Sequence, residues 1–222
     1  MDWPHLDAPA AHVPLTRGYR FELLQRAEVG VLTNFIATWM PDIGVGSASV
    51  YLRPEFYQRR VVFPDQPQQD VVVLLLKRGD TLAGMFSCQR EREALSIHAR
   101  LGIAAPRHRG ANLAQAGMVF TEAVGRLMGL GVAYGMATLK TPHAQQAFER
   151  AGWQLVGIMP GFDREQVAPG VVKRVFEALY AKVLVERTEL LQPDLCDMTP
   201  RTQALYRQLH AQPESAALRE TV

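Results

Sequence analysis

The chain has 222 residues, of which 48% are hydrophobic and 21% charged, the composition of an ordinary globular protein with one domain. Its formal net charge of +2 is too small to indicate a nucleic-acid partner or an anionic membrane surface. The two cysteines, Cys88 and Cys196, lie far apart and do not have metal-ligand spacing. We therefore expect neither a bound metal nor a nucleic-acid partner.

The chain shows no pattern of a secretory signal or of a membrane span. Its first residues contain neither a basic segment nor an apolar run. The longest apolar stretch, residues 71–76, is far shorter than the roughly 20 residues that cross a bilayer. We therefore expect a cytoplasmic protein without a membrane partner.

The first half of the chain predicts helices followed by an antiparallel meander of strands, because hydrophobic periodicity changes from helical spacing to short apolar runs between polar turns. In chain order we expect an irregular arm (1–17), a strand (19–25), helices (27–40 and 47–60) and strands (71–76, 82–89 and 95–105). Pro54 interrupts the second helical pattern.

The second half predicts alternating helices and strands. In chain order we expect a helix (112–128), a strand (132–138), a short helix (142–151), a strand (153–159), a loop (161–170), a strand (171–184) and a tail (186–222) with a helix at 202–210. The pattern indicates an α/β (α+β) domain over residues 18–185, with a mixed sheet covered by helices on its faces.

The segment between the strand at 95–105 and the helix at 112–128 carries the clearest chemistry. It reads Pro106 and then Arg-His-Arg-Gly-Ala-Asn. The first turn of a helix has free backbone N–H groups and partial positive charge, small residues allow close approach, and arginines add charge-assisted hydrogen bonds. This arrangement suits a pyrophosphate. The alternative is a surface turn that happens to contain two arginines and a glycine.

These residues also resemble a known family. The segment 95–161 is similar to the GNAT acyltransferase superfamily: the signature Arg/Gln-x-x-Gly-x-Gly/Ala falls on Arg109, Asn112 and Ala114, and Pro106 precedes it as in the family. Residues 145–153, Gln-Gln-Ala-Phe-Glu-Arg-Ala-Gly-Trp, resemble the family's short helix and closing Gly-aromatic pair.

The resemblance implies a mostly antiparallel central sheet with helices on both faces, and acetyl-CoA as the co-substrate. It implies that the last residues of the strand pair with the pantetheine arm, that the loop backbone holds the pyrophosphate, and that two later residues lie along the arm and at its thiol end. These cofactor-binding positions are Ala104, Ala105, Arg109, Gly110, Ala111, Asn112, Leu113, Ala114, Thr141 and Phe148.

The sequence departs from the family at three positions. Asn112 replaces a small glycine, Phe148 replaces a tyrosine that often protonates the leaving thiolate, and Arg100 stands where an acidic residue is frequent. The usual acid and base are therefore absent. The candidates that remain are His98, Tyr134 and His143.

Strand alternation places Ser96, His98, Arg100 and Gly102 on one face of the strand and the apolar odd-numbered residues on the other. If that face borders the acceptor site, His98 could act as a base, and the neighbouring Arg100 would lower its pKa and keep it neutral. The alternative is a strand histidine with a local hydrogen bond. Cys88 could be a nucleophile, but an apolar strand favours an inert thiol.

We therefore expect an acyltransferase that moves an acetyl or short acyl group from acyl-CoA to an amine in a small molecule or peptide. A CoA-binding module that has lost catalysis, with a sensory or interaction role, is the alternative, and an unrelated nucleotide-phosphate protein is a third. The acceptor would be bound by the first helices and by the segments 89–93 and 161–170. The tail either packs on the domain or mediates a homodimer.

Overall fold

The structure of the protein is a computed structural model that describes residues 2–6, 9–10 and 13–210. The chain separates into two compact units, residues 1–185 and 186–222. Within the part of the chain that the structure describes, no helix is both long and apolar enough to cross a membrane.

The first unit contains the elements that the sequence patterns predict, with small shifts of their ends, except at residues 47–60 and 161–170. Its strands are β1 (Tyr19–Leu23), β2 (Val71–Arg78), β3 (Thr81–Glu91), β4 (Ser96–Ala104), β5 (Val132–Thr138), β6 (Gln154–Ala168) and β7 (Val171–Val183). Its helices are α1 (Val29–Trp39), α2 (Pro54–Arg60), α3 (Leu113–Leu127) and α4 (His143–Arg150). The expected helix at 47–60 is divided at Arg53: a 3-10 helix, Ser47–Leu52, precedes α2, which begins at Pro54.

Among the described residues the strands form one seven-stranded sheet in the order β1-β2-β3-β4-β5-β7-β6. Only the pair β4 and β5 is parallel, and every other neighbouring pair is antiparallel. The parallel pair needs a long crossover connection, which α3 provides, whereas tight turns join the hairpins.

Helices cover both faces of this sheet. Alternate residues of β2 enter two different hydrophobic cores: Val72 and Leu74 pack with α3 residues such as Phe120, and Val71 and Val73 pack with α1 residues such as Ile36. We call these the α3 core and the α1 core. A strand that is buried on both faces is continuously apolar, as the sequence of β2 is. The mixed, mostly antiparallel sheet with helices on both faces is confirmed.

A β-bulge in β4 corrects the expected assignment of its faces. Ser87 pairs with Leu101, and the next residue, Cys88, pairs with Ala99, so Arg100 is the extra residue. As a result Ala99 belongs to the α3 core and Leu101 to the α1 core. The apolar residues of this strand therefore do not share one face. Gly102, expected beside His98, faces Phe86 of the α3 core.

The segment 161–170, expected as a loop, is also different. Strand β6 continues through it to Ala168 and pairs with β7 as a long hairpin, and β6 forms one of the two edges of the sheet. The register shifts between Leu155 and Gly157, between Met159 and Asp163, and between Gln166 and Ala168. Each shift adds residues that break the two-residue alternation, which is why the sequence pattern did not predict a strand.

The N-terminal arm packs on the first unit through its described residues. The indole of Trp3 donates a hydrogen bond to the Gln69 carbonyl at 2.7 Å, and the buried guanidinium of Arg90 lies 5.0 Å from the centre of the Trp3 ring. Val13 is buried in the α3 core.

The second unit contains two 3-10 helices, Arg187–Glu189 and Leu195–Asp197, and the helix α5 (Pro200–His210). The Gln203 side chain ties α5 to the preceding turn by donating to the Leu195 carbonyl at 2.6 Å. No residue of α5 is buried, so this helix has no apolar core of its own.

Candidate active site

A gap in the sheet separates the ends of β4 and β5. The two strands pair from Ser96 opposite Val132 to Ala99 opposite Gly135, and β4 then continues to Ala104 without pairing with β5. The bulge at Arg100 follows the last paired residue of β4, so it marks the point where the strands separate. Because β4 and β5 are parallel, their carboxyl ends lie at the same edge of the sheet, where the connection to α3 begins.

Backbone groups of β4 border this gap. The Ala105 N–H donates to the Ala83 carbonyl at 2.9 Å, on the β3 side. Because peptide groups alternate sides along an antiparallel strand, those of Ala104 point to the opposite side, towards the gap. The Ala105 carbonyl accepts from the His108 N–H at 2.8 Å. Of the two residues expected to pair with a bound arm, Ala104 therefore has peptide groups facing the gap, and Ala105 already has partners for both of its own.

The loop after β4 takes a conformation that leads directly into α3. A 3-10 turn, Pro106–His108, is followed by Gly110 with φ 88° and Asn112 with φ 56°. Asparagine tolerates this left-handed region better than most residues, which explains why it can replace glycine here. The Asn112 side chain makes no capping hydrogen bond. The first N–H groups of α3 thus have no intrahelical acceptor and lie at the positive end of the helix dipole.

The charged side chains of the loop are open to solvent, and its backbone is held from the side of the N-terminal segment. Arg107 and Arg109 are exposed. Thr16 donates its hydroxyl hydrogen bond to the Ala111 carbonyl at 2.9 Å, and the Tyr19 hydroxyl lies 2.8 Å from Nδ1 of His108. The loop is therefore fixed while its two arginines remain exposed. The N–H groups of Arg109 and Ala111 already donate to backbone carbonyls, at 3.3 and 3.4 Å.

An open cleft of about 140 Å³ lies on the α1 side of the sheet, beside the gap. Its walls come from β4, β5, the β6–β7 hairpin and the segment that follows α1. The lining residues with polar or charged side chains are Ser47, Tyr51, His98, Arg100, Thr138, Asp163, Arg164, Glu165 and Glu177. The remaining lining residues, such as Met40, Ile43, Met136 and Phe162, are apolar.

His98 lines this cleft and stacks on the ring of Tyr134, with the ring centres 4.6 Å apart and an angle of 8° between the planes. Burial and the nearby charge of Arg100 together lower the pKa of His98 to about 4, against the opposite effect of Glu91. The imidazole is therefore neutral at physiological pH. The pKa of His98 is lowered, as expected, although burial contributes more to this shift than the charge of Arg100 does.

Tyr134 is not among the residues that line the cleft, and its hydroxyl has a partner elsewhere. It donates to Oε1 of Glu91 at 2.7 Å, and Glu91 also accepts from the Ser96 hydroxyl at 2.5 Å. Burial and the carboxylate of Glu91 raise the pKa of Tyr134. The hydroxyl is thus bonded to a carboxylate at the far end of β3.

The three remaining predicted positions, on the α4 side, lie in different environments. His143 and Thr141 are exposed at the start of α4, and the cleft wall there is formed by Ala144. Phe148 is buried in the α3 core, where it stacks on Tyr180 with ring centres 5.0 Å apart, and it contacts Gly135 at the last pair before the gap. The Tyr180 hydroxyl donates to Glu149 at 2.9 Å, and its pKa is raised to about 12 by burial and by that carboxylate.

Three carboxylates of the β6–β7 hairpin also face the cleft, and none of them was singled out from the sequence. Asp163 accepts from the N–H and hydroxyl of Ser47 at 2.9 and 2.6 Å. Glu165 accepts from Lys140 at 2.6 Å. Glu177 lies opposite Thr138 of β5, and its pKa is raised to about 7 by burial and by the charges of Asp163 and Glu165. Alternation along β7 predicts on which face of the sheet Glu177 lies, but it does not predict that this face borders a cleft.

Metal binding finds no support in the part of the chain that the structure describes, which contains no group of three or more His, Cys, Asp or Glu side chains that could hold an ion. Cys88 is buried, and burial raises the pKa of its thiol to about 12. A thiol of that kind is a poor nucleophile and a poor metal ligand.

No family model and no curated protein matches the chain, but solved structures do. A Salmonella typhimurium acetyltransferase that modifies the N-terminal serine of ribosomal protein L7/L12 has a TM-score of 0.57 and 10% identity, covering 77% of this chain and 98% of its own. Spermidine N-acetyltransferase from Vibrio cholerae, solved with CoA and spermine, has a TM-score of 0.58 and 13% identity, covering 76% and 97%.

The putative acetyltransferase yncA from Salmonella typhimurium, solved with acetyl-CoA, has a TM-score of 0.57 and 12% identity and covers 81% of this chain and 100% of its own. At identities this low, the likeness concerns the course of the backbone. The match extends over nearly the whole length of each of these proteins. The chain therefore has the fold of the GNAT N-acetyltransferases.

Proposed function

We propose that the protein transfers an acetyl or other short acyl group from an acyl-CoA to an amine. The observation that carries this proposal is the gap between β4 and β5, which begins after the Ala99–Gly135 pair and leads to the first turn of α3. An extended acyl-CoA arm can lie in a slot between two strands, and a pyrophosphate can bind free N–H groups at the end of that slot. This fold has both at one edge.

The acyl-CoA would bind along the gap and the loop. The peptide groups of Ala104 would pair with the pantetheine amides as an added strand does. The backbone from Arg109 to Ala114 would surround the pyrophosphate, with the exposed guanidinium of Arg109 adding charge-assisted hydrogen bonds. Thr141 would lie along the arm, and Phe148, which contacts Gly135 at the start of the gap, would lie beside the thiol end.

Transfer to an amine needs a neutral nitrogen nucleophile, and then stabilisation of the oxyanion and of the departing thiolate. Of the three groups proposed from the sequence for proton transfer, His98 has the best position because it lines the cleft. The hydroxyl of Tyr134 is engaged with Glu91, and His143 is exposed. Protonation of the thiolate by water is consistent with a phenylalanine at position 148.

The acceptor would be an amine carried by a small molecule or a peptide, because the cleft beside the gap contains three carboxylates. Two of the similar proteins act on such amines according to their names, a polyamine in one and an N-terminal serine in the other. A cytoplasmic location and a homodimer formed by the tail remain proposals, and sedimentation equilibrium of the full chain tests the dimer.

Two measurements test the proposed function. Calorimetric titration with CoA and acetyl-CoA should show binding, and thiol release from acetyl-CoA should occur with spermidine or with a short peptide that begins with serine. Binding of CoA without thiol release from any amine would support the module that has lost catalysis. Thermal stabilisation by ATP and none by CoA would contradict both readings.

A further inference from the structure

We propose that Glu177 is the general base of the reaction, taking a proton from the ammonium form of the acceptor amine. This inference rests on the proposed acyl transfer. Glu177 was not among the residues that the sequence pattern marked, and its assignment comes from its place in the cleft.

The position of Glu177 is suited to an amine that attacks through the gap. The residue lies on β7 directly opposite Thr138, the last residue of β5, and opposite Met159 of β6. Both Glu177 and Thr138 line the cleft, as do His98 and Leu101 on the β4 side of the gap. An amine bound in the cleft between these two walls would have the Glu177 carboxylate on one side and the gap between β4 and β5 on the other.

The carboxylate of Glu177 is free to accept a proton. Within the described residues it has no hydrogen-bond donor and no ion-pair partner. Its two acidic neighbours, in contrast, are already engaged: Asp163 accepts from Ser47, and Glu165 is paired with Lys140. Of the three carboxylates in the cleft, Glu177 is therefore the one without a structural partner.

The charges around Glu177 come from several elements. His98 and Arg100 line the cleft from β4, and Asp163, Arg164 and Glu165 line it from β6. Lys140, after β5, bridges Glu165 and Asp42. Burial and the repulsion from Asp163 and Glu165 raise the pKa of Glu177 to about 7. A base with a pKa near the working pH is more effective than a weaker one.

The same criterion separates Glu177 from His98. The pKa of His98 is lowered to about 4, so its imidazole stays neutral but accepts a proton from an ammonium group far less readily. Glu177 accepts that proton more readily and still ionises near neutral pH. The imidazole can then act as a neutral polar wall of the cleft.

The proposed reaction involves two proton transfers, the formation of a carbon–nitrogen bond and the breaking of a carbon–sulfur bond. The Glu177 carboxylate takes one proton from the ammonium group, which leaves a neutral amine and a carboxylic acid. The amine nitrogen forms a bond to the thioester carbonyl carbon, and the carbon–sulfur bond breaks with its electron pair on sulfur. A second proton moves from nitrogen to the thiolate through water, giving an amide and CoA thiol. Glu177 then returns its proton to solvent.

The test compares the wild-type chain, Glu177→Gln and the matched control Glu55→Gln, an exposed residue on α2. Thiol release from acetyl-CoA is followed from pH 5 to 9 with spermidine and with a serine-initiated peptide. In the wild type, kcat/KM should rise with pH through about 7, where Glu177 ionises. Glu177→Gln should lose this rise and about 100-fold in kcat/KM at pH 7.5, and Glu55→Gln should keep both.

Glu165→Gln provides a second reading, because removing one repelling charge should move the rise to lower pH. Urea denaturation at pH 8 completes the test: Glu177→Gln should unfold at higher urea than the wild type, because a half-buried charge without a partner among the described residues is removed. Lower activity together with higher stability distinguishes a catalytic role from a structural one.

The outcomes are distinguishable. If the wild type releases no thiol with either amine, the proposed acyl transfer fails. If the wild type is active and Glu177→Gln retains the rise near pH 7, only the assignment of Glu177 fails. A wild-type kcat/KM that shows no rise near pH 7 and that Glu177→Gln leaves unchanged would overturn the assignment and favour His98, which is neutral over this whole pH range.

Discussion

The ring of Phe148 packs so closely on Gly135 that a Cβ atom at Gly135 would lie 2.6 Å from Cζ of Phe148 and 3.0 Å from the Ala99 carbonyl oxygen. Gly135 is the last residue of β5 that pairs with β4. The absence of a side chain at this position therefore allows the α3 core to pack at the point where the two strands separate.

We expect Gly135→Ala to lower the free energy of unfolding by about 1–3 kcal/mol, the usual cost of overpacking a core. The measurement is urea denaturation followed by circular dichroism. Gly157→Ala is the matched control, because it also replaces a strand glycine and a Cβ there meets no atom within 4 Å. Equal stabilities for the two variants would contradict the close packing at Gly135.

The loop after β4 leads to a second prediction. We expect Arg109→Ala to weaken CoA binding by about 10- to 100-fold, because one charge-assisted hydrogen bond contributes about 1.5–3 kcal/mol. Calorimetric titration at two salt concentrations measures this loss and should show it shrinking as salt rises. The control is Arg59→Ala, an exposed arginine in the last turn of α2. Loss of affinity in both variants to the same extent would point to net charge and not to the loop.

The environment of His98 predicts a pH-dependent stability. Its folded pKa of about 4 lies below the ordinary 6.5, so the unfolded chain binds the proton first and stability falls as pH decreases from 6.5 to 4. We expect His98→Gln to reduce this loss by about 1–3 kcal/mol, since each pKa unit corresponds to about 1.4 kcal/mol. Urea denaturation at several pH values measures it. An NMR titration of His98 with a midpoint above 6 would refute the prediction.

The hydrogen bond from Tyr134 to Glu91 predicts that the hydroxyl contributes to stability more than to turnover. Tyr134→Phe should destabilise the protein by about 1–3 kcal/mol, because the bond involves a carboxylate, and should change the rate of thiol release less than about threefold. A loss of 100-fold or more in rate with intact CoA binding would instead make the hydroxyl a catalytic acid.

The two cysteines should differ sharply in reactivity. Cys196 is exposed, whereas Cys88 is buried with its thiol pKa raised to about 12. Iodoacetamide at pH 8 should therefore modify Cys196 and leave Cys88 unmodified until the chain is denatured, as measured by mass spectrometry of the digested protein. Cys88→Ala should retain thiol release, and a complete loss in a folded variant would reopen a role for this thiol.

Sequence patterns predicted most of the sheet and α3 because their signals are local. The continuous apolar run of β2 and the helical period of α3 each require burial of that element, whatever surrounds it. The loop from Arg109 to Asn112 was also predictable, since its residue types suit a helix start with free N–H groups.

The bulge at Arg100 and the position of Glu177 could not be predicted in the same way. A bulge depends on the pairing of Ser87 and Cys88 with another strand, and alternation along β4 alone contains no sign of it. Glu177 was missed because its importance arises from Thr138, Asp163 and Glu165, which are brought together by pairing between β5, β6 and β7. Tyr134 was placed correctly on a strand, but the sequence does not show that its hydroxyl donates to Glu91.

The register shifts along β6 have a consequence for solubility. As one of the two outer strands of the sheet, β6 exposes a row of backbone N–H and C=O groups that another chain could pair with, and exposed apolar residues such as Ile158 and Phe162 would add to that tendency. The longest regular stretch between shifts is Asp163 to Gln166, shorter than the roughly six residues that aggregating strands use. The irregular edge thus protects the molecule from joining its sheet to that of a neighbour.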